Sequence, residues 1–340
     1  MSTDHLSAKS AEQTAAGKKE AVVLVNTLAP RANAFRWAEV CAEPLGPDVS
    51  VREVRVTGFA AVRQAAEEAA NAGVWLIIVV GGDGTLNSVI NGIGDKPTRI
   101  AVLPAGTSND MAYNLGQSND LAENIAALGR LEPFECDLMR INGERFALIG
   151  MFGYGADVAI TSNDMRSGGP MIRFLLKLFG NAMYTAVIFW LLFRTSTMGG
   201  SVVVRYRDLS DNSMKTVEAD VIVLNIFGAN TLIRGDLKFA PTADIADGKI
   251  DLWMYKRSPV SKVLNYLGAL GKGTAQSLPE VIWLQSDHFE IEWNRPMQYI
   301  IDGDPVPGND TAKTKYTIDL NPVPLRLLAP KLPRRGTRKS

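Results

Sequence analysis

Histidine and cysteine are almost missing from this chain of 340 residues, which has two of each. His5 falls in a polar opening stretch, and Cys41 and Cys136 stand far apart. A zinc site needs four clustered His, Cys or carboxylate ligands at tight spacing, and no such cluster exists. A Ser–His–Asp or Cys–His arrangement would have to use His288. Two cysteines make no disulfide framework, which points to a reducing interior. An excess of either charge is missing as well: Lys plus Arg and Asp plus Glu number 36 each. That balance argues against a nucleic-acid binder working through a large global positive charge and leaves a local basic patch as the alternative. The first twenty residues have no apolar run, so they are no secretory signal and read as a disordered tail over 1–19. Neither G-x-x-x-x-G-K-[ST] nor G-x-G-x-x-G occurs, which removes the Walker loop and the dinucleotide fingerprint. Chemistry is left to carboxylates, hydroxyls and backbone amides.

Apolar residues make up 46% and charged residues 21%, enough for a real core across about two domains. From residue 20 to 136 apolar runs alternate with helix-like stretches. Ala21–Asn26, Val49–Val56, Val74–Val80 and Arg99–Leu103 read as strands. The helices fall near Ala34–Ala42, Ala60–Ala72 (stopped by Gly73), Leu86–Ile93 and up to Leu115. That alternation predicts an α/β domain with a parallel sheet. From 137 to 322 short strand-like segments dominate, among them Ser201–Tyr206, Ala219–Ile226, Ile250–Tyr255, His288–Trp293, Met297–Ile301 and Tyr316–Leu320. They predict a mainly antiparallel β-sandwich. A helical insertion over 170–194 interrupts it. Residues 323–330 read as a segment returning to the first domain, and 331–340 as a basic tail. No internal repeat occurs.

The strand V-W-L-I-I-V-V runs into Gly81-Gly82-Asp83-Gly84-Thr85 and then a helix. The glycines allow a tight turn and close backbone approach, and the helix amides and dipole favour an anion. Asp83 adds a carboxylate where a Mg²⁺ ion would need one. Leu103-Pro104-Ala105-Gly106-Thr107-Ser108-Asn109-Asp110 is a second polar loop between strand and helix. Its plain alternative is helix capping by Asp110. Two such loops on one rim make the usual ligand crevice of an open α/β sheet.

G-G-D-G-T-L-N at 81–87 followed by L-P-A-G-T-S-N-D at 103–110 resembles the diacylglycerol kinase catalytic family, and within it the bacterial soluble lipid kinases related to sphingosine kinases. The resemblance continues through Gly153-Tyr154-Gly155-Ala156-Asp157, through P-T-A-D-I-A-D-G-K-I-D at 241–251, and through Ile301-Asp302-Gly303-Asp304, similar to that family's D-G-E motif. It implies an N-terminal nucleotide domain, a C-terminal β-sandwich and an active site between them. It implies ATP as phosphoryl donor, with Asn26, Thr57, Gly81, Gly82, Asp83, Gly84, Thr85, Leu86, Asn87, Thr107 and Asn109 on the nucleotide. A structural magnesium would be held by Asp247 through its side chain, and by Asp244 and Lys249 through main-chain oxygens; a plain D-G turn is the alternative. Asp304 would be the general base on a lipid hydroxyl, with Asp83 as the rival base.

The chain departs from that family twice. Thr27-Leu28-Ala29-Pro30 replaces most of its N-P-x-S-G segment, and Asp304 stands where it has glutamate. The sixteen uncharged residues Leu178–Phe193 would rise about 24 Å as a helix, short of the roughly 20 residues a bilayer needs. They read either as a buried helix or as an aromatic-rich surface helix lying on lipid. The expectation is a cytoplasmic lipid kinase, peripheral on the inner face of a membrane, with a homodimer as its candidate assembly and no nucleic-acid partner. The acceptor would be diacylglycerol, a sphingoid base, a phosphatidylglycerol-type head group or a polyprenol. The other readings are an NAD kinase-like enzyme with a soluble acceptor and a nucleotide- and lipid-binding protein without its base.

Overall fold

The computed structural model describes residues 18–107, 109–118, 120–153, 156–157, 160–161, 199–227, 232–233, 237–238, 240, 243–302, 304–305 and 312–330. The helical insertion at 170–194, the basic tail and nearly all of the N-terminal tail lie outside them. The chain divides into one unit formed by 1–136 and 323–340 and a second formed by 137–322.

The first unit is built on β1 (Lys19–Asn26), β2 (Val49–Val56), β3 (Leu76–Gly81) and β4 (Arg99–Pro104). These strands are parallel, in the order β2-β1-β3-β4. Every residue of β3 is buried, as a strand covered on both faces requires. Burying one large aliphatic side chain stabilises by about 1.5–3 kcal/mol, so this strand anchors the sheet. The helices α1 (Trp37–Leu45), α2 (Phe59–Asn71) and α3 (Asp83–Ile93) follow β1, β2 and β3. Sheet order then extends through β18 (Leu325–Ala329), parallel to β4, to β5 (Glu132–Cys136), antiparallel to β18. The return of 325–329 inserts a strand from the far end of the sequence between β4 and the edge strand β5.

Several boundaries differ from the sequence reading, among them the first helix, at Trp37–Leu45 rather than Ala34–Ala42, and two at the first glycine loop. The strand after Gly73 starts at Leu76 rather than Val74. Helix α3 starts at Asp83 rather than Leu86, so Asp83-Gly84-Thr85 is its first turn and only Gly81-Gly82 forms the bend. An acidic residue in the first turn suits the positive end of the helix dipole.

The second unit is one antiparallel network of ten strands. Its members are β6 (Met139–Ile141), β7 (Arg145–Ala147), β8 (Ile149–Gly153), β9 (Gly200–Arg207), β10 (Met214–Phe227), β13 (Ile250–Lys256), β14 (Val281–Ser286), β15 (His288–Ile301), β16 (Asp304–Pro305) and β17 (Ala312–Leu320). Two short strands, β11 (Leu232–Ile233) and β12 (Leu237–Lys238), pair by themselves. Strand β10 pairs with β9 along its first half and with β8 and β13 along its second. Strand β15 likewise pairs with β9 first and β8 later. The two long strands therefore fold the sheet over its own core, which includes Phe152, Leu224, Ile226, Phe289 and Tyr316.

Candidate functional site

Strand ends β1 to β4 bring the sequence-derived residues of the first unit to one rim. Asn26 ends β1 and is buried. Its Nδ2 donates to Thr85 Oγ1 at 3.1 Å. Its Oδ1 accepts from the Leu28 and Gly58 N–H groups at 3.2 and 3.4 Å. One amide thus ties together the loops after β1 and β2 and the first turn of α3. Thr85 is buried beneath the bend, and its hydroxyl is engaged by Asn26 rather than presented to solvent. The exposed Thr57 shares a 2.7 Å hydrogen bond with the Thr27 hydroxyl.

The two glycine loops touch. The Ala105 and Gly106 N–H groups donate to Gly81 O at 2.9 and 3.2 Å. A Cβ on Gly81 would stand 2.4 Å from Thr85 Cβ, and one on Gly106 would stand 2.4 Å from Gly82 Cα. Neither position accepts a side chain, so bare backbone faces the rim. Asn109 closes the second loop on itself: its Oδ1 accepts from Gly106 N–H and its Nδ2 donates to Gly106 O, both at 3.0 Å. It does so from the left-handed region, at φ 55°, which asparagine tolerates better than most residues. Asp83 Oδ1 accepts from Met111 N–H at 3.0 Å, fixing the helix that follows this loop. Thr107 is exposed on the same loop. Leu86 is buried, so only its main chain could serve a ligand. Asn87, half-buried, accepts from Asn91 Nδ2.

The departure after Asn26 has a structural counterpart. Arg31 N–H donates to Ala105 O at 3.3 Å, and its guanidinium donates to Pro104 O. The loop lacking the N-P-x-S-G residues is held to the second glycine loop by this arginine.

In the second unit Asp304 pairs with Ile301 as the start of β16. The turn before it is held by Asp302, a residue the sequence reading passed over. Asp302 Oδ1 accepts from the Leu148 and Ile149 N–H groups at 3.0 and 2.7 Å, and Asp302 N–H donates to Ile149 O at 3.0 Å. Its φ of 49° is the left-handed conformation of a tight turn. The only sequence signal was its place in D-G-D. Burial raises the carboxyl pKa of Asp157, and the charge of Arg295 works against that rise.

The proposed metal stretch is a chain of turns. Asp244 Oδ1 accepts from Ala246 N–H and Asp247 Oδ1 from Lys249 N–H, both at 3.1 Å. Asp137, just past the first unit, accepts from Gly248 N–H at 2.7 Å. Burial raises the Asp247 pKa, and the Lys249 ammonium, 3.6 Å from its Oδ2, opposes the rise. Among the described residues no three His, Cys, Asp or Glu side chains converge as a metal cluster. A cation here would have to draw on main-chain oxygens beside one carboxylate.

The architecture defines a class: an α/β unit with two glycine loops on its rim, followed by an antiparallel β unit. Residues 20–141 match the family model of the diacylglycerol kinase catalytic domain. A probable lipid kinase, YegS-like, of Shewanella frigidimarina (strain NCIMB 400) is 25% identical over 248 residues, covering 71% of this chain and 73% of that one. A diacylglycerol kinase of Staphylococcus aureus (strain JH9) is 24% identical over 242 residues, covering 70% and 71%. The crystal structure of a diacylglycerol kinase from Bacillus anthracis str. Sterne shares the fold, with a TM-score of 0.66, 18% identity and coverage of 92% and 97%. The resemblance read from the motifs is borne out, and so is the fold class.

Proposed function

We propose that this protein is an ATP-dependent lipid kinase that moves the γ-phosphate to a hydroxyl of a membrane lipid. The observation that carries this reading is the side-chain-free rim where Gly81, Gly82 and Gly106 meet. The Ala105 and Gly106 N–H groups are spent on Gly81 O, so a polyphosphate would meet the start of α3, whose dipole suits an anion. Phosphoryl transfer asks mainly for positioning and charge neutralisation, which this rim supplies. Mg²⁺ would neutralise phosphate charge, with the partly buried carboxylate of Asp83 as its protein partner. Asp304 would accept the hydroxyl proton. The Asp302 anchor fixes the turn that carries it.

The acceptor would reach the protein at a membrane surface, from the cytoplasmic side. Among the described residues no helix is long and apolar enough to cross a membrane. Incubation with labelled ATP, Mg²⁺ and fractionated total lipid, with mass spectrometry of the product, tests the reading. A labelled phospholipid is the expected result. Labelled NAD with no labelled lipid overturns it. Asp304→Asn should remove turnover while nucleotide binding survives. Near-full turnover in that variant, with a dead Asp83→Asn, would move the base to Asp83.

A further inference from the structure

Both long strands of the second unit lose register near one corner. The pairing of β10 with β13 shifts between Val221 and Val223, and that of β15 with β17 shifts between Glu292 and Met297. Strand β9 starts pairing with both at the same corner, through Gly200–Val221 and Val202–Trp293. Irregularities of this kind turn side chains out of the ladder. They leave a cleft of about 490 Å³, with Gly199, Gly200 and Ser201 along one side and Asp220, Arg257, Asn294 and Arg295 around it. Glycine is required on that side. A Cβ on Gly200 would stand 2.7 Å from Asn294 Oδ1, and one on Gly199, at φ 67°, would stand 1.9 Å from Val221 O. The two arginines are each set in place at Nε. Arg295 Nε donates to Gly199 O at 3.0 Å, and Arg257 Nε donates to Asp220 Oδ2 at 2.7 Å. A guanidinium is a rigid fork of five donors, so holding it at one atom orients the rest. All of these residues belong to the second unit, whereas the glycine rim belongs to the first. Along β15, roughly 20 Å of strand separates Arg295 from the Asp302–Asp304 turn.

We infer that this cleft is a binding site for a soluble polyol phosphate, separate from the nucleotide rim. Two guanidiniums on one cleft match a dianion better than a single carboxylate. A phosphate monoester carries about −1.5 to −2 charge at neutral pH, and its oxygens fit the arginine fork. Two arginines against Asp220 leave the lining net positive. Asp157, whose carboxyl also meets the charge of Arg295, is not part of that lining. The Asp220 carboxylate, the Asn294 carboxamide and the Ser201 hydroxyl suit the hydroxyls of a polyol. Among the described residues that line the cleft, none has an apolar or aromatic side chain, so nothing there holds an acyl chain or a nucleobase. The volume is that of a site for a whole small molecule rather than a lone ion.

The test is titration calorimetry of the full chain with glycerol 3-phosphate, with and without ADP. Binding should be unaffected by ADP and should weaken as salt is added. Inorganic phosphate and glycerol, each lacking half of the ligand, should bind about tenfold more weakly or worse. Arg257→Gln and Arg295→Gln should each weaken glycerol 3-phosphate by about tenfold to a hundredfold. The Tm of Arg257→Gln should stay near that of wild type, since the ion pair it breaks is solvent-exposed. Absence of binding by wild type overturns the inference, and that measurement needs no variant to fold. Competition by ADP also overturns it, because the ligand would then sit on the rim. So does an Arg257→Gln protein of unchanged affinity, and so does binding of phosphatidylglycerol vesicles without binding of the soluble phosphate.

Discussion

Gly106→Ala is the sharpest probe of the rim. A methyl there would lie 2.4 Å from Gly82 Cα, 2.9 Å from Gly82 N and 2.8 Å from Asn109 Oδ1. Carbon atoms in contact rest about 3.5–4.0 Å apart, so the two loops must part by on the order of 1 Å. Nothing nearby can swing aside. Gly82 is backbone at the N-cap of α3, and Asn109 Oδ1 is held by Gly106 N–H. Neither Gly82 nor Gly106 is among the glycines with positive φ, so the penalty is one of space alone. Overpacking of this kind costs about 1–3 kcal/mol of stability. A 1 Å misplacement of groups that orient the reacting phosphate costs about a hundredfold in rate. Gly82→Ala is the internal control, because its methyl would meet Gly106 Cα at 3.2 Å and needs only a few tenths of an ångström. It should lose less than about tenfold in rate. Urea denaturation and steady-state kinetics with varied ATP measure both variants. A Gly106→Ala enzyme within about threefold of wild type in kcat/KM for ATP, or a Gly82→Ala enzyme that is the worse of the two, would refute the account of two loops in contact.

Other expectations follow from single residues. Asp302→Ala strands the Leu148 and Ile149 N–H groups and should cost about 2–4 kcal/mol. Asp302→Asn keeps an acceptor and tolerates the left-handed turn, so it should recover most of that loss in thermal denaturation. Asn26→Ala should destabilise by about 2–4 kcal/mol, because it frees partners on three segments at once. Asn26→Asp, which still accepts from Leu28 and Gly58, should be milder in the same urea titration. Burial, reinforced by the charge of Glu53, pushes the Cys41 thiol up to about 12 from its ordinary 9.0. The folded state therefore keeps a proton that the unfolded chain releases. Stability should be full below about pH 9 and fall by about 1.4 kcal/mol per unit on the way to 12. Cys41→Val should flatten that alkaline slope in pH-dependent denaturation, and an unchanged slope would remove Cys41 as its source.

The local pattern was enough to place the parallel strands and the glycine loops. Strand burial is written in unbroken apolar runs such as Leu76–Val80, and a glycine pair after such a run leaves few backbone options. The chemistry of the rim was legible for the same reason, since backbone amides need no particular partner to be announced.

What the residue types do at that rim was not legible. Thr85, Asn26 and Asn109 look like ligand contacts in sequence, yet Asn26 and Thr85 bond each other between two loops and Asn109 closes its own loop on Gly106. Hydrogen bonds across 59 positions, as between Asn26 and Thr85, leave no trace in spacing. Asp302 and Arg31 became structural anchors only when 148–149 and 104–105 were brought beside them. The strand 325–329 has no local mark of its sheet, because its place between β4 and β5 depends on pairing from the far end of the chain. Sequence by itself determined the class of fold and the bare glycine backbone at the rim, since both follow from local burial and glycine geometry. The tertiary structure alone decided which polar side chains are spent on holding that backbone and which, like Asn225, stay buried and without a partner among the described residues.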